Sequence, residues 1–252
     1  MASRIWAAAL PLALSGWLAA CAAPGGDRAN GAGMNGETRL RVAEAAEGSG
    51  DRDLAVSMYT MAANEAPSDA ALQLRCAEGL ARNGKLDEAG TLLKRRLRES
   101  GRRPDLLGAL GSIQVLAGQP AQAEATFSEV LASRPDDVRA LVNKGVALDL
   151  LRRHNEAQDL YRKALALAPR DPAISNDLAL SLLLSGRIEE ARQALAPFRD
   201  DASLPARIRI NLGILEAARG NGAEAQRLLE GSLTPTDLAM LTHAIETGGG
   251  TR

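Results

Sequence analysis

Cys21 has the clearest chemical task in this chain. It follows Leu18-Ala19-Ala20 at the end of an apolar stretch, residues 5–18, which Pro11, Ser15 and Gly16 interrupt and Arg4 precedes. Small residues before the cysteine let an extended backbone enter a peptidase, and the thiol supplies the nucleophile for a thioether. The other reactive side chains are few and scattered. Cys76 is the second of two cysteines. With Cys21 acylated it has no partner for an internal disulfide, and beside Ala77 it reads as a small buried hydrophobe. The two histidines, His154 and His243, join no Cys/His set at metal-ligand spacing. Asp136-Asp137, Glu189-Glu190 and Asp200-Asp201 fall at helix starts or loops, where the helix dipole favours carboxylates. No glycine-rich phosphate loop follows a strand, and no Ser/His/Asp set stands out. These side chains point to no enzyme, cofactor, metal or small-molecule substrate.

The elements that carry them are unusual in their regularity. Residues 1–20 are too short and broken for a membrane span of about 20 apolar residues and read as a secretory signal peptide. Residues 21–36, rich in Gly, Ala and polar residues, read as a flexible tether of roughly 20 Å root-mean-square length. Small residues then recur every 34 positions at Ala55, Ala89, Ala123, Ala157, Ala191 and Ala225. A second ladder runs twelve positions earlier, at Ala43, Ala77, Gly111, Gly145, Ala179 and Gly213. A third marks the turn between them, at Gly50, Gly84, Gly118, Arg152, Gly186 and Gly220. Three ladders at one period mean six copies of one helical hairpin, starting near 36, 70, 104, 138, 172 and 206 within residues 37–233. The two small-residue ladders are expected to face one another where the paired helices meet. Glycine at the turn suits a left-handed helix terminus, so Arg152 either accepts a positive φ or marks a different turn. Pro67, Pro135 and Pro169 share one slot and end the second helix. Residues 234–252 read as a capping helix, with Leu238, Leu241 and Ile245 on one face, and a frayed tail. Hydrophobic residues make up 46% of the chain and aromatics 2%, which suits close helix packing through alanine and leucine. The net charge of −1 is unlike the clustered positive charge of a nucleic-acid binder.

The 34-residue helix–turn–helix, with small residues at repeat positions 8 and 20 and proline at 32, resembles the tetratricopeptide (TPR) family. Position 24, often aromatic in that family, holds Tyr59, Leu93, Phe127, Tyr161, Leu195 and Leu229, while its position-4 tryptophan is absent. The implied fold is all-α: a right-handed superhelical solenoid of about six repeats with a C-terminal capping helix. The family's first helices line a concave groove through positions 2, 5, 6, 9 and 12. On that likeness Asn143 and Asn211 at position 6, Asn176 beside Asp177, and Arg139 and Arg207 at position 2 would hold an extended segment or helix of a protein partner. Val142, Val146, Leu180, Leu183, Ile210 and Ile214 would add apolar contacts. Leu18-Ala19-Ala20-Cys21 resembles a bacterial lipobox, which implies lipidation of Cys21. Ala22, in place of an aspartate associated with inner-membrane retention, implies an outer-membrane anchor facing the periplasm of a Gram-negative bacterium. Lipobox, tether and six repeats together resemble the TadD-type lipoproteins of Flp (tight-adherence) pilus assembly, and in layout the pilotins of type IV pilus secretins. The implied function is an adaptor in pilus or secretin assembly. The alternative is a cell-envelope adaptor that recruits peptidoglycan enzymes or outer-membrane assembly factors.

Overall fold

A computed structural model of the protein describes residues 34–199, 201 and 203–229. Cys21, the tether up to Gly33 and the expected capping helix lie outside the described residues. The described chain holds twelve α-helices, one 3-10 turn and no strand. They are α1 (Gly36–Gly48), α2 (Arg52–Glu65), α3 (Ala70–Arg82), α4 (Leu86–Ser100), α5 (Pro104–Leu116) and α6 (Pro120–Ser133). There follow α7 (Val138–Leu150), α8 (His154–Leu167), α9 (Pro172–Leu184), α10 (Ile188–Leu195), α11 (Ala206–Ala218) and α12 (Gly222–Leu229). The odd-numbered helices begin 34 residues apart, at 36, 70, 104, 138, 172 and 206. Each helix packs on its neighbours in the chain, and successive odd-numbered helices also touch. The result is a solenoid of six stacked TPR hairpins, in which every unit contacts mainly the next.

Local chemistry sets these boundaries. Asn35, Asp69, Asp137 and Asp171 sit just before α1, α3, α7 and α9, and each side chain accepts from a backbone N–H of the first turn. A cap of this kind contributes about 1 kcal/mol. The first helix of every repeat ends in the same way. The residue after the turn position donates its N–H five residues back, as in Lys85 to Leu80 (2.9 Å) and Arg187 to Leu182 (2.8 Å). That bond requires a left-handed residue just before it. Five repeats place glycine there, at φ between 68° and 82°, and the fourth places Arg152 at φ 60°. Arg152 is the one non-glycine residue at positive φ among the described residues, and an L side chain there costs about 1–2 kcal/mol. Second helices stop before proline: Ala66, Arg134 and Ala168 precede Pro67, Pro135 and Pro169 and leave the helical region at ψ 64°, 78° and 73°.

At Gly111, Gly145 and Gly213 the position-8 residue faces the side chain at position 24 of its own repeat. A Cβ added at Gly111 would lie 2.7 Å from the Phe127 ring, one at Gly145 would lie 2.6 Å from Tyr161, and one at Gly213 would lie 2.5 Å from Leu229. Contacts below 3 Å force atoms apart, so glycine is what lets Phe127, Tyr161 and Leu229 approach the first helix this closely. Position 20 is still fully buried, at Ala55, Ala89, Ala123, Ala157 and Ala191.

Candidate protein-binding groove

Helices α3, α5 and α7 turn one face each toward a common concavity of about 430 Å³. Counting each repeat from its first helical residue, the lining comes largely from positions 2, 5, 6 and 9: Leu74, Glu78, Asp105, Ser112, Arg139 and Asn143 among them. Gly108 and Ala109 carry so little side-chain volume that the groove deepens at α5, where Phe127, Ile113 and Val130 are reached from it. The polar groups around this apolar floor are in part committed: Arg82 is tied to Glu47 at 2.9 Å, and Ser112 Oγ donates to the Gly108 carbonyl at 3.0 Å. Arg134, Arg139 and Glu78 line it and make no ion pair among the described residues. Asp105 is instead clamped by Arg103 at 2.6 Å, which holds its carboxyl below the usual range. Asp137 is engaged as the cap of α7. Two guanidinium groups, a serine hydroxyl and an amide beside an apolar floor can grip carboxylate and backbone groups of a polypeptide while burying its side chains.

The five residues expected from sequence fall into two groups. Arg139 is exposed and Asn143 half-buried, and both line the α3–α5–α7 groove. The Asn143 amide reaches Ser112 Oγ only at 3.4 Å, a weak bond that a ligand can replace. Asn176, Arg207 and Asn211 belong to a second polar patch on α9 and α11. Asn211 Nδ2 donates to Asn176 Oδ1 at 2.7 Å, and Asn176 is buried. Arg207 is exposed. Between them lies Asp177, whose carboxyl is raised above its ordinary pKa by burial, with the Asn176 amide and the Arg207 charge pulling the other way. Of the apolar candidates, Leu180 is exposed, and Val142, Val146, Leu183, Ile210 and Ile214 are half-buried.

Sequence reasoning missed Glu78, Asp105, Ser112 and Arg134, because it searched for asparagine at position 6. Repeats two and three carry Arg75 and Ala109 there. Arg75 is spent on Glu37 (3.3 Å) and Glu44 (2.8 Å) of α1. The available signal was the lack of bulk at Gly108-Ala109. A second missed pattern links positions 12 and 24. Tyr59 donates to Glu47 (2.6 Å) and Tyr161 to Asp149 (3.0 Å). The third repeat has Val115 and Phe127 at those positions, so hydroxyl and carboxylate come and go together. Burial, then the neighbouring Glu47, pushes the Tyr59 hydroxyl up to about 12.

Asp149 also accepts from Ser181 Oγ at 2.6 Å, and His154 Nδ1 lies 2.8 Å from the same oxygen. This trio is a joint between α7, α8 and α9. The serine bonds the carboxylate directly and is fully buried, so it is not placed as a nucleophile against a histidine base. Cys76 is buried, and burial pushes its thiol up to about 12. No group of three or more His, Cys, Asp or Glu among the described residues is placed to hold a metal ion.

Comparison with known proteins agrees with this geometry. Tetratricopeptide-repeat profiles match residues 109–172, 151–205 and 206–230. A TPR repeat-containing protein of Pseudomonas aeruginosa is 30% identical over 169 residues, which are 64% of this chain and 28% of that protein. An uncharacterized protein of Sinorhizobium fredii is 40% identical over 72 residues, 29% of this chain and 40% of its own. The chain thus spans less than half the length of these two relatives. Among solved structures, a tetratricopeptide repeat protein from Parabacteroides merdae superposes with a TM-score of 0.69 at 14% identity, over 84% of both chains. PilW, described as a widely conserved type IV pilus biogenesis factor, gives 0.68 at 18% identity, over 84% of this chain and 98% of its own. A TPR protein of Thermus thermophilus gives 0.59 at 21% identity, over 71% and 98%. At these identities the structural likeness is one of fold.

Proposed function

The chain carries tetratricopeptide repeats, a fold that mediates protein–protein interaction, and from that premise we propose that it is a lipid-anchored adaptor on the periplasmic side of the outer membrane. Its groove holds a segment of a protein partner during pilus or secretin assembly. The observation that carries the binding role is the concavity over α3, α5 and α7, where Arg134, Arg139, Ser112 and Asn143 surround an apolar floor. The mechanism is positional and needs no turnover. Acyl chains on Cys21 fix the body to one leaflet, and the tether lets the groove raise the local concentration of its partner there. The order of features in the sequence supports the anchor: apolar leader, Leu18-Ala19-Ala20-Cys21, tether, then repeats. The pilus context is supported by that layout and by the shared fold of PilW.

The test is a pull-down from detergent-solubilised membranes with the wild type and an Arg139→Ala/Asn143→Ala variant. Loss of hydrogen bonds to charged groups costs about 1.5–3 kcal/mol, so the partner should leave the variant while its melting curve stays unchanged. Full retention by the folded variant overturns the groove assignment. Radiolabelled palmitate should mark the wild type and not Cys21→Ser, and pilus or secretin subunits should be among the retained proteins.

A further inference from the structure

Ten residues at the end of the second repeat, 94–103, carry six cations and one acid: Lys94, Arg95, Arg96, Arg98, Arg102 and Arg103 against Glu99. The chain as a whole is nearly balanced, with 30 Lys and Arg against 31 Asp and Glu, so this segment is a local concentration of positive charge. The hairpin itself does not require it. Repeats one, three and five hold no Lys or Arg at the same six repeat positions, and repeat four holds three, Arg162, Lys163 and Arg170.

Three of the six are engaged. Arg96 bonds Glu99 at 3.3 Å and the Pro67 carbonyl at 3.2 Å, Arg102 pairs with Glu129, and Arg103 grips Asp105 at 2.6 Å. The other three are Lys94 and Arg98, both exposed, and the half-buried Arg95. They have no hydrogen-bond or ion-pair partner among the described residues. One helical turn separates Lys94 from Arg98 and Arg95 lies beside them, so they share one face of α4, away from the buried Leu92, Leu93 and Leu97. The helix dipole favours a cation in the last turn, which accounts for Arg98 alone. In repeat four Arg162 and Lys163 are instead tied to Asp159 and Asp136, at 3.0 and 3.1 Å.

We infer that Lys94, Arg95 and Arg98 form a contact surface for an anionic phospholipid leaflet and turn the α4 side of the second hairpin toward the membrane. The inference rests on the lipid-anchor reading and adds an orientation to it. Charge complementarity selects the occupant. Lys94 and Arg98 line neither the concavity over α3, α5 and α7 nor the smaller one beside α2 and α4. No pocket there shapes a particular polypeptide, whereas long flexible cations attract anionic headgroups without shape complementarity. That attraction acts within a Debye length, about 8 Å at physiological salt, so the face must be held close to the leaflet. A tether of roughly 20 Å that enters at α1 does this for the second hairpin, since α3 packs on both α1 and α2. No α4 residue lines the groove over α3, α5 and α7, so a leaflet against α4 leaves that groove open to a protein.

The test uses residues 22–252, which keep every contact described from Met34 onward and lack the leader and Cys21, so that binding reads this face alone. The protein should sediment with equimolar phosphatidylcholine/phosphatidylglycerol vesicles and not with phosphatidylcholine alone, and added salt should release it. Each Lys or Arg near such a leaflet strengthens binding about fivefold. Lys94→Gln/Arg95→Gln/Arg98→Gln should therefore weaken it about a hundredfold, and the exposed pair Lys94→Gln/Arg98→Gln about twenty-fivefold. Arg162→Gln/Lys163→Gln/Arg170→Gln removes the same charge at the same repeat positions and should bind as the wild type does. Circular dichroism melts confirm that each variant is folded. Sedimentation that ignores phosphatidylglycerol, survives both repeat-two variants, or falls equally in the repeat-four variant overturns the inference. So does binding of soluble poly-L-glutamate without sedimentation on vesicles, which assigns the face to an acidic protein. Palmitate labelling of the full chain reads the anchor separately. An unlabelled Cys21 with the expected sedimentation overturns the anchor and keeps this surface, and a labelled Cys21 without it overturns this surface and keeps the anchor.

Discussion

In the fourth hairpin the second helix runs fourteen residues, His154–Leu167, whereas in the fifth it stops after eight, Ile188–Leu195, and passes into the 3-10 turn Ala196–Phe198. The difference is one residue type at one repeat position. Lys163 stands inside α8 and reaches Asp136 at 3.1 Å and the Pro135 carbonyl at 2.6 Å. Its counterpart is Pro197, which has no N–H to donate to the Gln193 carbonyl and whose ring would clash with that carbonyl. The fifth repeat makes up the loss with charge. Arg199 bonds the buried Glu216 of α11 at 2.6 Å, and Asn221 bonds the same carboxylate at 3.0 Å. Both repeats keep an identical first helix length and turn, with Arg153 donating to Leu148 (2.9 Å) and Arg187 to Leu182 (2.8 Å). The first helix and turn therefore carry the period, and the last turns of the second helix are free to vary.

The interior follows the same contrast. In the fourth repeat Tyr161 stands over Gly145, and in the fifth the same two repeat positions hold Ala179 and Leu195. The largest expected effect is on Tyr161→Ala. It empties the space over Gly145 and strips a donor from Asp149, so it should cost about 3–5 kcal/mol in urea denaturation. Leu195→Ala frees less volume and should cost about 2–4 kcal/mol. Equal losses would mean that the ring adds nothing beyond the leucine.

Pro197→Ala should let α10 continue, moving the Arg199 N–H from its 3.4 Å bond with Ala196 to a helical bond with the Leu195 carbonyl. Hydrogen exchange should slow at Phe198 and Arg199, with stability changed by no more than about 1 kcal/mol. Unchanged exchange would place the cause of the short helix in the Arg199–Glu216 contact instead.

The smallest effect is electrostatic. Position 6 is Asn143 in one repeat and Asp177 in the other. Burial raises the folded-state pKa of Asp177 above its ordinary 3.8. Its contribution to stability is full below that ordinary value and is lost as pH rises through the raised one. Asp177→Asn should therefore gain on the wild type as pH is brought from about 3 to neutrality. A constant difference across that range would mean that the carboxylate is not desolvated in the fold.

Much of the fold was legible because a helix terminus closed by a left-handed residue has few chemical solutions. Glycine every 34 residues, or Arg152 in its place, announces the turn, and Pro135 and Pro169 announce the stop. The groove was legible only in part. Arg139 and Asn143 follow from the family's positions, but the depth beside them comes from missing bulk at Gly108 and Ala109, which a search for polar side chains passes over. The Asn176–Asn211 bond joins residues 35 apart on different repeats, and its geometry depends on how one hairpin rotates against the next.

The amino-acid order by itself determined the repeat count and the hairpin boundaries, since these rest on backbone conformation and on interactions within some twenty residues. Only the tertiary structure decided which polar groups along the inner wall stay uncommitted and which leucines remain outside. Those outcomes depend on the angle between stacked hairpins. That angle is a sum of many weak packing contacts, and no single residue encodes it.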